Sequence, residues 1–186
     1  MGRVMSLINV TPDGFADGKY VKTDAEYFDF IHGLLSRTDT VAFGRNSFEM
    51  FQTTWPSRMN PENATPWQVQ MAKALHAIPK IVYSSTLKST TWHNSTIARE
   101  PDPVHIKKHK ADNKGGILTI ASPQLLASFT RMGLIDDYYF CIQPLLGGQG
   151  DVRLFDRLRL DDHRRLRYVG STDLLSGVHI VHYECL

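Results

Sequence analysis

A chain of 186 residues with 42% hydrophobic and 22% charged side chains has the make-up of one ordinary globular domain, long enough to bury a substantial core. Its net charge of +2 singles out no acidic partner, and Cys141 and Cys185 sit in apolar or aromatic runs outside any CxxC or zinc spacing, so a reduced, cytoplasmic setting and no metal centre are expected. No apolar run approaches the ~20 residues that cross a bilayer, and residues 4–8 are too short a run for a signal-peptide core, so no membrane partner is expected.

Residues 3–9 read as the first strand. Gly2 and Ser6 formally match a myristoylation pattern, but the run between them reads better as buried strand, and no lipid is expected. Thr11-Pro12-Asp13-Gly14-Phe15 is a turn, because proline presets one dihedral and glycine permits the opposite sign. Thr23-Asp24 opens a helix in which Tyr27, Phe28, Ile31, Leu34 and Leu35 recur at helical spacing. A second strand ends at Phe43, and a second helix covers residues 47–54. Pro56, Pro61 and Pro66 mark a loop, followed by a helix over 66–76. Residues 80–83 and 95–98 read as short strands, 103–110 as a helix and 116–121 as a buried strand. Ser122 as cap and Pro123 in the first turn open a helix over 124–132, which Gly133 closes. Residues 136–143 form a strand, 144–150 a glycine-rich loop, and 166–173 with 178–184 an antiparallel hairpin.

Strands thus alternate with helices and then pair locally. The expected fold class is α/β: one domain over 1–186 with a mainly parallel central sheet flanked by helices and a C-terminal antiparallel hairpin. There is no internal repeat and no low-complexity tract. Ligands of open α/β sheets gather at the carboxyl ends of the strands, where Asn9, Gly44, Ser84 and Ser122 all fall. The segment Gly44-Arg45-Asn46-Ser47 joins such an end to a helix start. The first helical turn has unpartnered N–H groups and roughly half a positive charge, so it can hold an anion such as a cofactor phosphate. Arg45 adds a fixed charge and a planar fork of donors. The other reading is that Asn46 or Ser47 simply caps the helix.

Several pieces, in order, resemble the dihydrofolate reductase-like superfamily: residues 9–16 (Asn-Val-Thr-Pro-Asp-Gly-Phe-Ala), 44–49 (Gly-Arg-Asn-Ser-Phe-Glu), 83–87, 134–138, 144–150 with Leu154-Phe155, and 176–178. The set spans nearly the whole chain and is most similar to single-domain proteins related to the C-terminal reductase domain of bifunctional riboflavin-biosynthesis deaminase/reductases. The resemblance implies a homodimeric, NADPH-dependent reductase that passes a hydride to a small heterocyclic or planar substrate, with NADH as the alternative cofactor and no nucleic-acid partner. A non-catalytic, nucleotide- or ligand-binding member of the same fold is the alternative. Cofactor contacts are implied for Gly44, Arg45, Asn46 and Ser47 on the pyrophosphate side, for Ser84, Ser85 and Thr86 near the adenosine ribose, and for Ala121, Ser122 and Gln124. Asp13 is implied as proton donor or substrate anchor, and Asn9, Phe15, Phe51 and Trp55 as pocket walls.

The sequence departs from that pattern in three places. No arginine lies in the segment from Ser84 to Thr86, which leaves NADH open beside NADPH. Ala121-Ser122-Pro123 stands where relatives carry a Gly-Gly or Gly-Ser pair, adding a methyl group and removing an N–H, so weaker or altered cofactor binding is expected. Ile120 stands where the riboflavin enzymes carry an acidic residue, so reduction of their ribosylated pyrimidine is not expected.

Other features weigh towards structure. Asp13 is also an ordinary member of a Pro-Asp-Gly turn. His105 and His109 are four apart on a helix but surrounded by lysines, and His179 and His182, three apart on a strand, point to opposite faces. The arginines at 153, 157, 159, 164, 165 and 167 are interleaved with Asp156, Asp161 and Asp162, which favours a mixed surface over a nucleic-acid track.

Overall fold

Strand β1 (Val4–Val10) is buried along almost its whole length, as expected of a strand covered on both faces. The computed structural model describes residues 2–112, 115–156 and 158–186; Arg157 of the arginine-rich stretch lies outside them. After β1 come α1 (Ala25–Leu35), β2 (Thr38–Gly44), α2 (Arg45–Thr54), α3 (Pro66–Ala77), β3 (Lys80–Tyr83), β4 (Ser95–Ala98), α4 (Pro103–Asp112), β5 (Gly116–Ile120), α5 (Pro123–Arg131), β6 (Asp137–Ile142), β7 (Leu166–Asp173) and β8 (His179–Cys185). The eight strands form one sheet in the order β4-β3-β2-β5-β1-β6-β8-β7. The six from β4 to β6 run parallel, and β8 and β7 are antiparallel to their neighbours. The expected mainly parallel α/β sheet with an antiparallel C-terminal hairpin is what the chain forms.

Period-two alternation divides the core into two layers. Met5, Leu7, Val41, Phe43, Leu118 and Ile120 face one side with Phe28, Ile31, Phe48, Phe51, Met71 and Leu75 of α1–α3. Val4, Ile8, Ala42 and Ile117 face the other with Ile106 of α4 and Leu125, Leu126 and Phe129 of α5. Each fully buried leucine or phenylalanine contributes about 1.5–3 kcal/mol of transfer free energy, so these layers hold the sheet rigid beneath its loops.

Helix starts are where expectation and structure diverge. Asp24 caps α1, its carboxylate accepting from the N–H of Tyr27 at 2.8 Å. Asp102 caps α4 through the N–H of Val104 at 2.8 Å. Pro66 opens α3, and Gln68 reaches back to the N–H of Thr65 at 3.0 Å. Helices α2 and α5 have no side-chain cap and no acidic residue in the first turn. The cap expected of Ser122 is therefore absent, and so is one from Asn46 or Ser47. Helix α2 also begins at Arg45, directly after β2, rather than at residue 47.

Candidate functional site

A cleft of about 1040 Å3 opens at the carboxyl ends of β1, β2, β3 and β5. Its walls include ten of the implied cofactor residues: Gly44, Arg45, Asn46, Ser47, Ser84, Ser85, Thr86, Ala121, Ser122 and Gln124. Sheet order explains the convergence, because β2 lies between β3 and β5. Three strand ends far apart in sequence thereby become adjacent loops.

Two serine hydroxyls brace the uncapped helix starts against each other. Ser122 Oγ accepts from the N–H of Gly44 at 3.1 Å and donates to the carbonyl of Ile120 at 3.0 Å. Ser47 Oγ donates to the carbonyl of Ala121. Both hydroxyls hold neighbouring strand ends together, which is why neither caps its own helix. The first-turn N–H groups of α2 and α5 consequently face one cleft with no side chain upon them. Gly44 is extended, with φ at −79, so no left-handed turn is needed there. Arg45 reaches across the cleft floor, donating to Glu49 Oε1 at 3.0 Å and to Thr86 Oγ1 at 2.8 Å. Ser84 Oγ accepts from the N–H groups of Thr86 and Leu87, shaping the loop that Arg45 contacts.

Ala121 holds φ at +49, in the left-handed region where an L side chain costs about 1–2 kcal/mol. That position is where the resemblance leads one to expect glycine. The methyl group packs against the core beneath the cleft.

The other half of the cleft is aromatic. Phe51 and Trp55 line it from α2, and Phe28 joins them from α1, its ring 5.5 Å from Trp55 at 70°. Phe28 is itself stacked on Trp67, with centroids 4.7 Å apart. Asn9 reaches the cleft from the end of β1 beside Tyr27. Burial holds the Tyr27 phenol protonated well above its ordinary range.

Asp13 and Phe15, expected at the pocket, lie outside the cleft walls. Asp13 is absent from the cleft walls, and its carboxylate accepts from the backbone N–H groups of Gly147 at 2.9 Å and Gly148 at 2.7 Å. Those donors, with the Thr11 hydroxyl first among them, hold its carboxyl down at about 2. Gly14, with φ at +90, makes the tight turn that aims Asp13 at that loop. Phe15 is buried beneath Arg153, whose guanidinium lies 4.5 Å from the ring centroid, and pairs as a β-bridge with Arg153.

Two arginines that sequence reasoning passed over do line the cleft. Arg99 follows β4, which pairs in parallel with β3, so it stands beside the loop from Ser84 to Thr86. The arginine missing from that segment in sequence thus has a counterpart in space. Arg58 lies over the Trp55 ring at 5.2 Å. His105 pairs with Asp102, His179 with Asp173 and His182 with Asp137, and among the described residues no group of three potential metal ligands assembles.

Comparison with known proteins agrees with this geometry. The chain is 26% identical over 189 residues to the uncharacterized protein YyaP of Bacillus subtilis (strain 168), covering 98% of this chain and 94% of that one. Its fold is similar to that of a candidate riboflavin biosynthesis protein from Shewanella sp. PV-4, with a TM-score of 0.71, 20% identity and 99% of each chain covered. It is also similar to dihydrofolate reductase from Enterococcus faecalis complexed with NADP(H), with a TM-score of 0.63, 11% identity and 99% and 96% of the two chains covered. The RibD C-terminal domain model matches residues 9–180, and the chain belongs to that reductase family.

Proposed function

We propose that the protein is an NADPH-dependent reductase that acts on a small planar heterocycle. One observation carries this reading: α2 and α5 have neither a side-chain cap nor an acidic residue in the first turn, and both start in the same cleft. The open N–H groups of residues 45–47 and 124–125 and the Arg45 guanidinium suit the two negative charges of a pyrophosphate. Arg99, exposed at the cleft rim beside Ser85, supplies a cation for a 2′-phosphate, which favours NADPH over NADH. The dihydrofolate reductase neighbour was solved with NADP(H), in keeping with the same use of the fold.

In this reading the first-turn N–H groups of α2 and α5 and the Arg45 guanidinium grip the cofactor phosphates. Nicotinamide supplies a hydride when bound. Phe28, Phe51 and Trp55 present flat apolar surface that orients a planar substrate and excludes water from it. Asp13, turned onto Gly147 and Gly148, takes no part. That displacement is the one observation favouring the second reading, a ligand-binding member of the fold without turnover. The protein would work as a homodimer joined along β7, the exposed sheet edge carrying Tyr168 and Val169, and a monomeric mass in solution would refute that.

The test of the leading reading is the thermal midpoint with added NADPH. At about a hundredfold excess over Kd, a native-state ligand adds about 2.7 kcal/mol, which is about 5–10 °C for a domain of this size. An unmoved midpoint with both NADPH and NADH would refute it. Binding without oxidation of NADPH across a broad panel of planar acceptors would favour the second reading.

A further inference from the structure

A backbone amide, two buried side-chain amides and a phenol form a chain whose polarity can be read from one end to the other. The backbone N–H of Lys22 is a donor and nothing else. It donates to Gln143 Oε1 at 2.8 Å, which fixes the orientation of the Gln143 amide. Gln143 Nε2 therefore donates to Asn9 Oδ1 at 2.8 Å, which fixes Asn9 in turn. Asn9 Nδ2 therefore donates to Tyr27 Oη at 2.7 Å. The amide orientations follow from a single unambiguous donor. The phenol oxygen accepts, so its own proton is left to give away. Among the described residues no hydrogen bond takes that proton. Tyr27 is 3% exposed and, like Asn9, belongs to the cleft wall in the aromatic half.

A buried donor without an acceptor is held at a cost, and a ligand in the cleft that Tyr27 lines can relieve it. We infer that Tyr27 is a specificity-determining contact that donates a hydrogen bond to an acceptor atom, a ring nitrogen or carbonyl oxygen, on the edge of a planar substrate. The Lys22–Gln143–Asn9 relay sets the direction of that bond, and the inference rests on the reductase reading for its planar ligand. Sites built to hydrogen-bond one substrate atom discriminate strongly against the isostere that lacks it. The Tyr27 position is fixed at both ends. Asp24 pins its backbone N–H in the first turn of α1, and Phe28 meets its ring edge-on at 5.4 Å.

The experiment compares isoquinoline with naphthalene, two rings of one shape that differ in a single accepting nitrogen, by saturation-transfer NMR. The ratio of their dissociation constants is measured in the unaltered protein, in Tyr27→Phe and in Gln143→Glu. Tyr27→Phe keeps the ring and removes the donor. Gln143→Glu lies outside the cleft wall. Read at alkaline pH, its carboxylate can only accept, so Asn9 turns over and its Oδ1 takes the Tyr27 proton. Both substitutions are expected to shift the ratio against isoquinoline by about five- to tenfold. An unchanged ratio in Tyr27→Phe, or no binding of either ring to the unaltered protein, would overturn the inference. An unchanged ratio in a folded Gln143→Glu would overturn the relay, and if that variant does not fold, Tyr27→Phe decides alone. NADPH binding by all three proteins, read from the thermal midpoint, separates this outcome from failure of the reductase reading, because that affinity is expected to stay the same.

Discussion

The two ends of the one parallel sheet treat their polar groups in opposite ways. At the amino end the charged side chains pair with one another or with carbonyls. Arg3 pairs with both Asp137 and Glu184, Arg167 with Glu184, His182 with Asp137, and Lys110 with Asp136. Lys80, the first residue of β3 and 1% exposed, donates to the carbonyls of Leu75 and Ile78 at 2.7 Å, at the C-terminus of α3. At the carboxyl end two helices start without caps, Ala121 sits in the left-handed region, and Tyr27 keeps a proton without an acceptor. The first end has the marks of stability. The second leaves binding capacity unfilled, as a functional site does when it holds strain and open donors that the rest of the fold supports.

That contrast can be broken by substitutions that fail to sort. Asp137→Ala leaves Arg3 with Glu184 alone and takes the carboxylate from His182, and is expected to cost about 2–3 kcal/mol in urea unfolding, the scale of lost hydrogen bonds to a charged group, while NADPH affinity stays unchanged. Lys80 gives a pH signature. Burial lowers its ammonium from 10.5 to about 8, so the unfolded chain binds more protons between those values and stability from this group rises with pH across the window. The unaltered protein should therefore gain on the order of 2 kcal/mol relative to Lys80→Met between about pH 8 and 10, measured by urea unfolding at each pH. Parallel curves for the two proteins would remove Lys80 as a titrating group. Arg45→Ala is expected to weaken NADPH binding about tenfold in calorimetric titration and to leave the melting temperature of the free protein within a degree or two. Ala121→Gly should raise stability by about 0.5 kcal/mol, because relief of left-handed strain exceeds the extra entropy of glycine; a loss of stability would show that the methyl contact with the core dominates.

Much of the fold was legible because it follows from local chemistry. Apolar runs of four to eight residues gave the strands, and Asp24, Pro66 and Gly133 marked helix ends where the structure has them. The cleft walls were legible from strand ends and the ordered resemblance, and thirteen of the fifteen residues singled out face one cavity. What stayed hidden depends on partners distant in sequence. The Gly147 and Gly148 N–H groups that engage Asp13 are 134 and 135 residues away, and nothing in a Pro-Asp-Gly turn announces them. Arg99 reaches the loop after β3 through the pairing of β4 with β3, which spacing alone does not reveal. Ser47 and Ser122 look like caps in sequence, since a hydroxyl near a helix start can serve either its own helix or the neighbouring strand. The sheet brings that neighbour close enough to win. The direction of the Asn9–Tyr27 bond needed three contacts to establish, one of them spanning 134 residues.

The central claim is that two uncapped helix starts hold the phosphates of a dinucleotide, and backbone amide NMR tests it most directly. Saturating NADPH should move the N–H resonances of residues 45–47 and 124–125 together, while the capped starts of α1, α3 and α4 stay where they are. Unmoved resonances at 45–47 and 124–125, with NADPH bound or not bound, would contradict it.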